Sequence, residues 1–365
     1  MPTRNRLQKR FSLPLRLAAA GYRIFHRIRT SLQGKGIVKS ETAVAPSVRV
    51  GGLSIGCGGT LWLTSWLLGW AVHRGKFPIV ATKAHHIWQS DLPRVVETSD
   101  TPKSIGMDKY LLSSYRPETK IIIGSTVSRA AAAARDRFSA DMVFLHDDFS
   151  GRTPKAQANL AILDVRDLAE DWNIVFPAGW FRETVESLHR ADAIMLYISE
   201  LEFKARQTLI RKRLEQFKKP VFSFSIRAWR LRRGAFGEPA ADLNEEPYLL
   251  VASEQDDDMA FNAATELLGL RPRMRYVVPQ HHIFNKQQFE FLHREATRLR
   301  CKHIVCTPGQ AIGLVDHIET PHVWSLEPHV TFGPRLHSKI TFPQWWDIAW
   351  GYSDILGSPS NDTDC

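Results

Sequence analysis

The feature that most constrains the fold is a run of 23 residues, from Val50 to Val72, that contains no charged side chain. A helix of that length could span a bilayer. However, five of its first ten residues are glycines, which disfavour a helix interior. They are Gly51, Gly52, Gly56, Gly58 and Gly59. The run is therefore interpreted as a short strand at 47–50, a glycine-rich loop and a buried helix over 61–73, a succession that begins a phosphate-binding βαβ unit.

The rest of the chain alternates short apolar runs with helical patterns, which predicts an α/β fold with a parallel sheet covered by helices on both faces. Predicted strands of the first set are 78–82, 121–124, 142–145, 160–164, 193–198 and 220–225. Predicted helices are 61–73, 126–138, 181–190 and 201–217. A second, smaller α/β set follows, with strands 248–252, 275–278 and 302–306 and helices 259–268 and 286–299.

Composition shifts divide the chain into segments. Residues 1–40 form a basic arm, 41–226 the first domain and 227–356 the second, with 227–247 as a connector. The tail 357–365 is polar and is predicted to be disordered. Four cysteines without a CxxC pair favour a reducing compartment, and no cleavable signal peptide is evident.

Positive charge is concentrated in the arm. Lys and Arg number 48 and Asp and Glu number 38, a net charge of +10, and residues 1–40 hold ten basic and no acidic side chains. This distribution excludes a uniformly basic protein that coats nucleic acids. Within 13–32, apolar residues recur at helical spacing with arginines on another face, which predicts an amphipathic helix at an anionic membrane surface. The alternative is a solvated helix that caps the domain.

Two further charge clusters have more than one interpretation. Residues 204–233 contain eleven basic side chains and one acidic side chain, which suits either a solvated helix face with a linker or a surface for an anionic ligand. Nucleic-acid binding is the weaker alternative, because the aromatic residues there fit the spacing of core strands. These are Phe217, Phe222, Phe224 and Trp229. The acidic cluster at 254–258 is typical of a solvated loop or a helix N-terminus.

Five motifs occur along the chain. They are VGGLSIGCGGTL at 50–61, SDTP at 99–102, LHDDFSG at 145–151, FPAGWFRE at 176–183 and VPQHH at 278–282. Their order resembles that of the tetraacyldisaccharide 4′-kinase (lipid A 4′-kinase) family, and the most specific match is FPAGWFRE with the LHRADAI that follows at 188–194. The resemblance implies a P-loop-type first domain, a second domain that closes the cleft and an N-terminal helix at the membrane.

The resemblance also implies a nucleotide site at the glycine loop. Its residues would be Gly56, Cys57, Gly58, Gly59, Thr60 and Leu61, with Lys83 in the place of a family arginine. In a P-loop the backbone N–H groups surround the phosphates, a lysine reaches the β- and γ-phosphates and a Ser or Thr binds the metal. Here Thr60 occupies the lysine position and Leu61 the threonine position, so the cation of the loop is missing.

Catalytic roles are implied for three residues by the same resemblance. Asp100 of SDTP corresponds to the base that takes the proton from the sugar hydroxyl. His281 of VPQHH corresponds to the histidine that orients this base, while the aspartate before it in the family is Gln280 here. Arg182 would pair with oxygens of the transferred phosphoryl group.

A Mg²⁺ site is implied by the acidic residues of two motifs. Glu183 would complete the metal shell, and an aspartate after the strand 142–145 would provide the main ligand. Counting back from 160–164 without a gap aligns His146 and Asp147 with the family's two aspartates. A shift of one residue aligns Asp147 and Asp148 instead.

The function implied by the resemblance is transfer of phosphate from ATP, with Mg²⁺, to the 4′-hydroxyl of a lipid A disaccharide-1-phosphate precursor. The site of action would be the cytoplasmic face of the bacterial inner membrane. The alternative is a catalytically inactive paralogue that binds the precursor or a pathway partner at the membrane surface, which the loop without lysine supports. We expect no nucleic-acid partner, and the sequence leaves the oligomeric state open.

Overall fold

The structure, a computed structural model, describes residues 19–20, 46–84, 92–149, 156–169, 172–254, 256–279, 282–315, 317–318 and 322–352. The chain divides into two compact units. The first comprises 1–106, 112–224 and 332–365, and the second comprises 107–111 and 225–331. The switch at 224–225 lies next to the boundary expected at 226. The described residues 332–352 belong to the first unit, whereas the second domain was predicted to run from 227 to 356.

The first unit is built on a mostly parallel sheet. Its strands are β1 (Ser47–Gly52), β2 (Pro78–Lys83), β3 (Arg94–Val95), β4 (Lys120–Gly124), β5 (Met142–His146), β6 (Ala158–Asp164), β7 (Ala193–Tyr197) and the start of β8 (Val221–Arg233). Their order is β8-β7-β6-β1-β5-β2-β4-β3, and β3 is antiparallel to β4. In the centre Val50 of β1 lies between His146 of β5 and Leu160 of β6. The carboxyl ends of these strands therefore meet at one edge of the sheet.

Ten α-helices lie between and after the strands in the described part of residues 46–352. They are α1 (Thr60–His73), α2 (Pro102–Ile105), α3 (Met107–Tyr115), α4 (Val127–Arg137), α5 (Glu200–Ala205), α6 (Gln207–Leu214), α7 (Asp257–Leu268), α8 (Lys286–Arg298), α9 (Pro308–Leu314) and α10 (Phe342–Ala349). Short 3₁₀ turns occupy Val165–Leu168, Val185–Arg190 and Glu215–Phe217. In the first unit, one buried cluster includes Leu163, Ile194 and Phe203, and another includes Ile79, Ile122 and Ala134.

The second unit contains a smaller set of parallel strands with helices. Its strands are β9 (Pro239–Ala240), β10 (Tyr248–Ser253), β11 (Met274–Val278), β12 (His303–Cys306) and β13 (His322–Leu336). Parallel pairing joins them in the order β11-β10-β12-β13, while β9 pairs antiparallel with β8. The α/β fold class and the second α/β set are thus confirmed.

Three element predictions were wrong, each for a local reason. The predicted helix 181–190 is only a 3₁₀ turn from Val185, because the backbone N–H of Arg182 donates to the carbonyl of Leu53 (2.7 Å) instead of entering a helix. The predicted helix 201–217 is divided between α5 and α6 at Arg206. The predicted connector begins inside β8, which continues to Arg233.

The predictions for the arm and the tail fall outside the described residues, apart from Ala19 and Ala20. Within the described part of the chain, no helix has both the length and the apolar character needed to cross a membrane.

Candidate functional site

The glycine loop, residues 53–59, joins β1 to the N-terminus of α1. Gly59 is the N-cap residue and has a φ of +82°, in the left-handed region that glycine tolerates. A Cβ atom at Gly59 would lie 2.7 Å from Cζ of Phe224 and 2.8 Å from the ring of Tyr197. Both the backbone angle and the packing therefore require glycine at this position.

Replacing Gly59 with alanine tests how tightly the loop is held. We expect Gly59→Ala to lower the free energy of unfolding by about 2 to 4 kcal/mol, from the left-handed backbone and the overpacking together. Gly75→Ala is a matched control, because Gly75 has a φ of +70° but nothing within 4 Å of the added Cβ. It should cost about 1 kcal/mol. Equal losses in urea unfolding would contradict the packing shown for Gly59.

The first turn of α1 has unsatisfied polar groups. No side chain caps the helix and its first turn has no acidic residue. The hydroxyl of Thr60 is buried and has no hydrogen-bond partner among the described residues, and the residue is only 7% exposed. Free N–H groups and the helix dipole favour an anion at this position, and the Thr60 hydroxyl adds a donor. Leu61 is half-buried and offers no polar group.

The FPAGWFRE segment lies directly against the glycine loop. The N–H of Ile55 donates to the carbonyl of Trp180 (2.8 Å), and that of Arg182 donates to the carbonyl of Leu53 (2.7 Å). From this position Nη1 of Arg182 lies 3.3 Å from both carboxylate oxygens of Asp147. The structure therefore brings the loop, Arg182 and Asp147 together, as the carboxyl ends of adjacent strands allow.

The three residues at the end of β5 have different environments. Asp147, with a φ of 52°, is exposed and pairs with Arg182. Asp148 is buried, and its charge acts on buried Arg49, although desolvation still leaves the pKa of Arg49 below its usual value. The Nδ1 atom of buried His146 lies 3.0 Å from Oγ1 of Thr64 on α1. Asp147 is therefore the solvent-exposed carboxylate of the three, and it matches a family aspartate in both alignments.

Glu183, the other expected metal ligand, is hydrogen-bonded to other side chains of the protein. Its Oε2 atom accepts hydrogen bonds from Nη2 of Arg190 (2.5 Å) and from Oγ of Ser187 (2.6 Å), and the residue is 4% exposed. The same Arg190 nitrogen donates to the carbonyl of Phe149 (3.0 Å). Glu183 therefore ties the segment after β5 to the turn Val185–Arg190.

Asp100 lies just before α2, in a dense set of hydrogen bonds. Arg94 donates to both carboxylate oxygens (2.8 and 2.7 Å), and Oγ of Ser104 and the N–H of Glu97 also donate to them. These bonds, that of Arg94 above all, lower the pKa of Asp100 to about 2. Its carboxylate is therefore ionised at neutral pH and is a weak base.

Two other expected site residues are His281 and Lys83. His281 and the preceding Gln280 lie outside the described residues. Lys83 is exposed at the end of β2, and β5 separates that strand from β1. At the usual spacing of neighbouring strands, two steps across the sheet amount to about 10 Å.

A cluster of polar side chains at the end of β6 was not predicted from the sequence. Oγ of Ser54, in the glycine loop, donates to Oδ2 of Asp167 (3.0 Å), which also accepts from the N–H of Asp164 (2.8 Å). Nη2 of Arg166 donates to Oδ2 of Asp164 (2.7 Å) and to the carbonyl of Gly56 (3.2 Å). The cluster could have been predicted from the D-x-x-D pattern of Asp164 and Asp167. This pattern lies at the carboxyl end of a predicted strand, where α/β proteins place ligand-binding residues.

Two groups of this cluster have a raised pKa, the buried Asp167 and the half-buried Cys57. Burial, with a smaller effect from Asp164, raises the pKa of Asp167 to about 6. Enclosure of the Cys57 thiol, together with the charges of Asp167 and Asp164, raises the pKa of Cys57 well above its usual value. Neither group is fully ionised at a pH near 6.

The Asp167 pKa predicts a pH dependence of stability. Because folding raises this pKa from 3.8 to about 6, the folded state binds more protons between those values, and stability should fall as pH rises through that window. The full change is about 3 kcal/mol. Asp167→Asn should flatten this slope in urea unfolding at pH 4 to 7, while Asp108→Asn at an exposed site should leave it unchanged. An unaltered slope in Asp167→Asn would show that Asp167 does not titrate there.

The acidic residues fit a magnesium ion that is bound mainly through a nucleotide. In the described residues no group of three or more His, Cys, Asp or Glu side chains forms a protein-only metal site. Mg²⁺ commonly binds through one or two carboxylates together with substrate phosphates. Asp147, solvent-facing and beside the loop, suits that arrangement.

Comparisons with known proteins identify the family of this chain. The family model of tetraacyldisaccharide-1-P 4′-kinase (LpxK) matches residues 11–342. The tetraacyldisaccharide 4′-kinase of Nitratidesulfovibrio vulgaris is 28% identical over 305 residues, 84% of each chain. That of Oleidesulfovibrio alaskensis is 28% identical over 352 residues, 94% of this chain and 97% of its own. The crystal structure of Aquifex aeolicus LpxK in complex with ATP shares the fold, with a TM-score of 0.64 and 19% identity over 89% of this chain and 95% of that one.

Proposed function

Because the chain belongs to the tetraacyldisaccharide-1-P 4′-kinase family, we propose that it transfers the γ-phosphoryl group of ATP to the 4′-hydroxyl of a lipid A disaccharide-1-phosphate precursor. The observation that carries this proposal is the convergence of three elements on one sheet edge. These are the glycine loop, Arg182 and Asp147. A fold match alone would not assign the activity, since one fold supports many functions.

In the proposed reaction the N-terminus of α1 holds the phosphates of ATP. The N–H groups of its first turn and the Thr60 hydroxyl donate hydrogen bonds to phosphate oxygens. Arg182 pairs with the transferred phosphoryl group, where charge develops in the transition state. Its contact with Asp147 fixes its position before the nucleotide binds.

Proton removal from the acceptor is assigned to Asp100. A carboxylate with a pKa near 2 is a weak base. Phosphoryl transfer tolerates this, because in its loose transition state the protein contributes mainly positioning and charge stabilisation. His281 is proposed to orient Asp100, on the strength of the VPQHH motif.

Magnesium is proposed to be held by Asp147, with the buried Asp148 behind it. Bound with ATP, the ion would offset the negative charge of the β- and γ-phosphates. Glu183 supports the position of this segment through Arg190 and Phe149.

We also propose that the protein acts at the cytoplasmic face of the bacterial inner membrane. The basic amphipathic pattern of residues 13–32 supports peripheral attachment to anionic lipid. Sedimentation with anionic vesicles, but not with zwitterionic ones, is the expected result, and no sedimentation with either would reject it.

The activity is tested by ATP consumption in detergent with the disaccharide-1-phosphate acceptor. We expect turnover that requires both Mg²⁺ and an acceptor with a free 4′-hydroxyl. An acceptor already phosphorylated at that position should be inert. Binding of the acceptor by folded protein without any turnover would favour an inactive paralogue, for which Thr60 in the lysine position is the supporting observation.

A further inference from the structure

Because the glycine loop has no lysine, another basic residue close to it is needed to bind the nucleotide phosphates. Arg182 is already assigned to the transferred phosphoryl group, and Lys83 lies two strands away from the loop. Arg49 is buried within β1 and donates to Asn159. Arg166, by contrast, hydrogen-bonds to the glycine loop itself.

We infer that Arg166 binds the phosphates of the nucleotide in place of the missing lysine. This inference rests on the proposed function. Nη2 of Arg166 donates hydrogen bonds to the carbonyl of Gly56 (3.2 Å) and to Oδ2 of Asp164 (2.7 Å). A Cβ at Gly58 would lie 3.6 Å from that same Asp164 oxygen, so the guanidinium is anchored beside the phosphate-facing stretch of the loop.

The two aspartates of the cluster have distinct positioning roles. Asp164 is 5% exposed and fixes the guanidinium both through its carboxylate and through the bond that Oδ1 accepts from the N–H of Arg166 (3.0 Å). Asp167 fixes the loop through Ser54. Arg166 itself is 39% exposed, and no partner is found in the described residues for its Nε and Nη1 atoms. Those N–H groups are available as separate charge-assisted donors to phosphate oxygens.

The test is equilibrium binding of ATP and of adenosine to wild type, Arg166→Met and Arg166→Lys. Arg166→Met should weaken ATP binding about 10- to 100-fold and leave adenosine binding unchanged, because only the phosphate contact is lost. Arg166→Lys should be intermediate, since an ammonium keeps the charge but not the planar guanidinium that Asp164 and Gly56 anchor. Arg211→Met, at an exposed arginine of α6, is the control and should bind both ligands normally.

Two double variants separate this role from a structural one. Asp164→Asn with Arg166→Met removes both members of the ion pair, so the folding defect should be smaller than in Arg166→Met while the ATP defect persists. Thr60→Lys in the Arg166→Met background restores a cation to the loop and should recover ATP affinity. Unchanged ATP affinity in the Asp164→Asn/Arg166→Met variant, or equal losses for ATP and adenosine, would overturn the inference. Failure of wild type to bind ATP would instead reject the proposed function.

Discussion

Asp100→Asn should lower kcat about 1000-fold while leaving the Michaelis constant for ATP near its wild-type value, because the change removes the proposed base and no contact to the phosphates. Asparagine is a sharper test than alanine. The Asp100 carboxylate accepts hydrogen bonds from Arg94, Glu97 and Ser104, and alanine would remove all of them. Loss of activity in Asp100→Ala would therefore mix a chemical defect with a local structural one.

A matched control for this experiment is Ser104→Ala. It removes one hydrogen bond to Asp100 and retains the carboxylate, so we expect turnover within about tenfold of wild type. Because the pKa of Asp100 is about 2, its protonation should not limit the rate of the free enzyme above about pH 4. Near-normal turnover by folded Asp100→Asn would remove Asp100 from the mechanism.

Glu183→Gln should lower the free energy of unfolding by about 3 kcal/mol, since it leaves the guanidinium of Arg190 without its carboxylate partner. Turnover should fall as well, because Arg190 also donates a hydrogen bond to the carbonyl of Phe149. That bond positions the segment that contains Asp147. Urea unfolding and Mg²⁺ titration of the activity would measure the two effects.

The control for Glu183 is Glu186→Gln in the same turn. Glu186 is exposed, so its loss should change stability by less than about 0.5 kcal/mol. If Glu183→Gln weakened the dependence on Mg²⁺ without loss of stability, Glu183 would be a metal ligand, as the motif comparison implied, and not a structural anchor.

The sequence predicted those parts of the fold that depend on local patterns. The apolar runs that became β5, β6 and β7 are nearly continuous, as is typical of buried parallel strands. The glycines of 51–59 predicted the loop, because no other residue tolerates the angle and packing of Gly59.

Contacts between residues far apart in the chain explain the features that sequence patterns did not predict. Arg166 bonds to Gly56, 110 positions away, and nothing in the motif order links them. The FRE segment resembles a helix start, but the hydrogen bond from the N–H of Arg182 to the carbonyl of Leu53 keeps it out of a helix. Likewise, α10 belongs to the first unit because Phe342 packs on Phe222 and Trp66, which lie far from it along the chain.

The most direct measurement is the transfer of labelled phosphate from γ-labelled ATP to the disaccharide-1-phosphate by wild-type protein. We predict label at the 4′ position of the acceptor, formed only with Mg²⁺, even though residue 60 is threonine. No labelled product from folded protein, together with no shift of the melting temperature by ATP, would contradict the assignment of this chain as a working kinase.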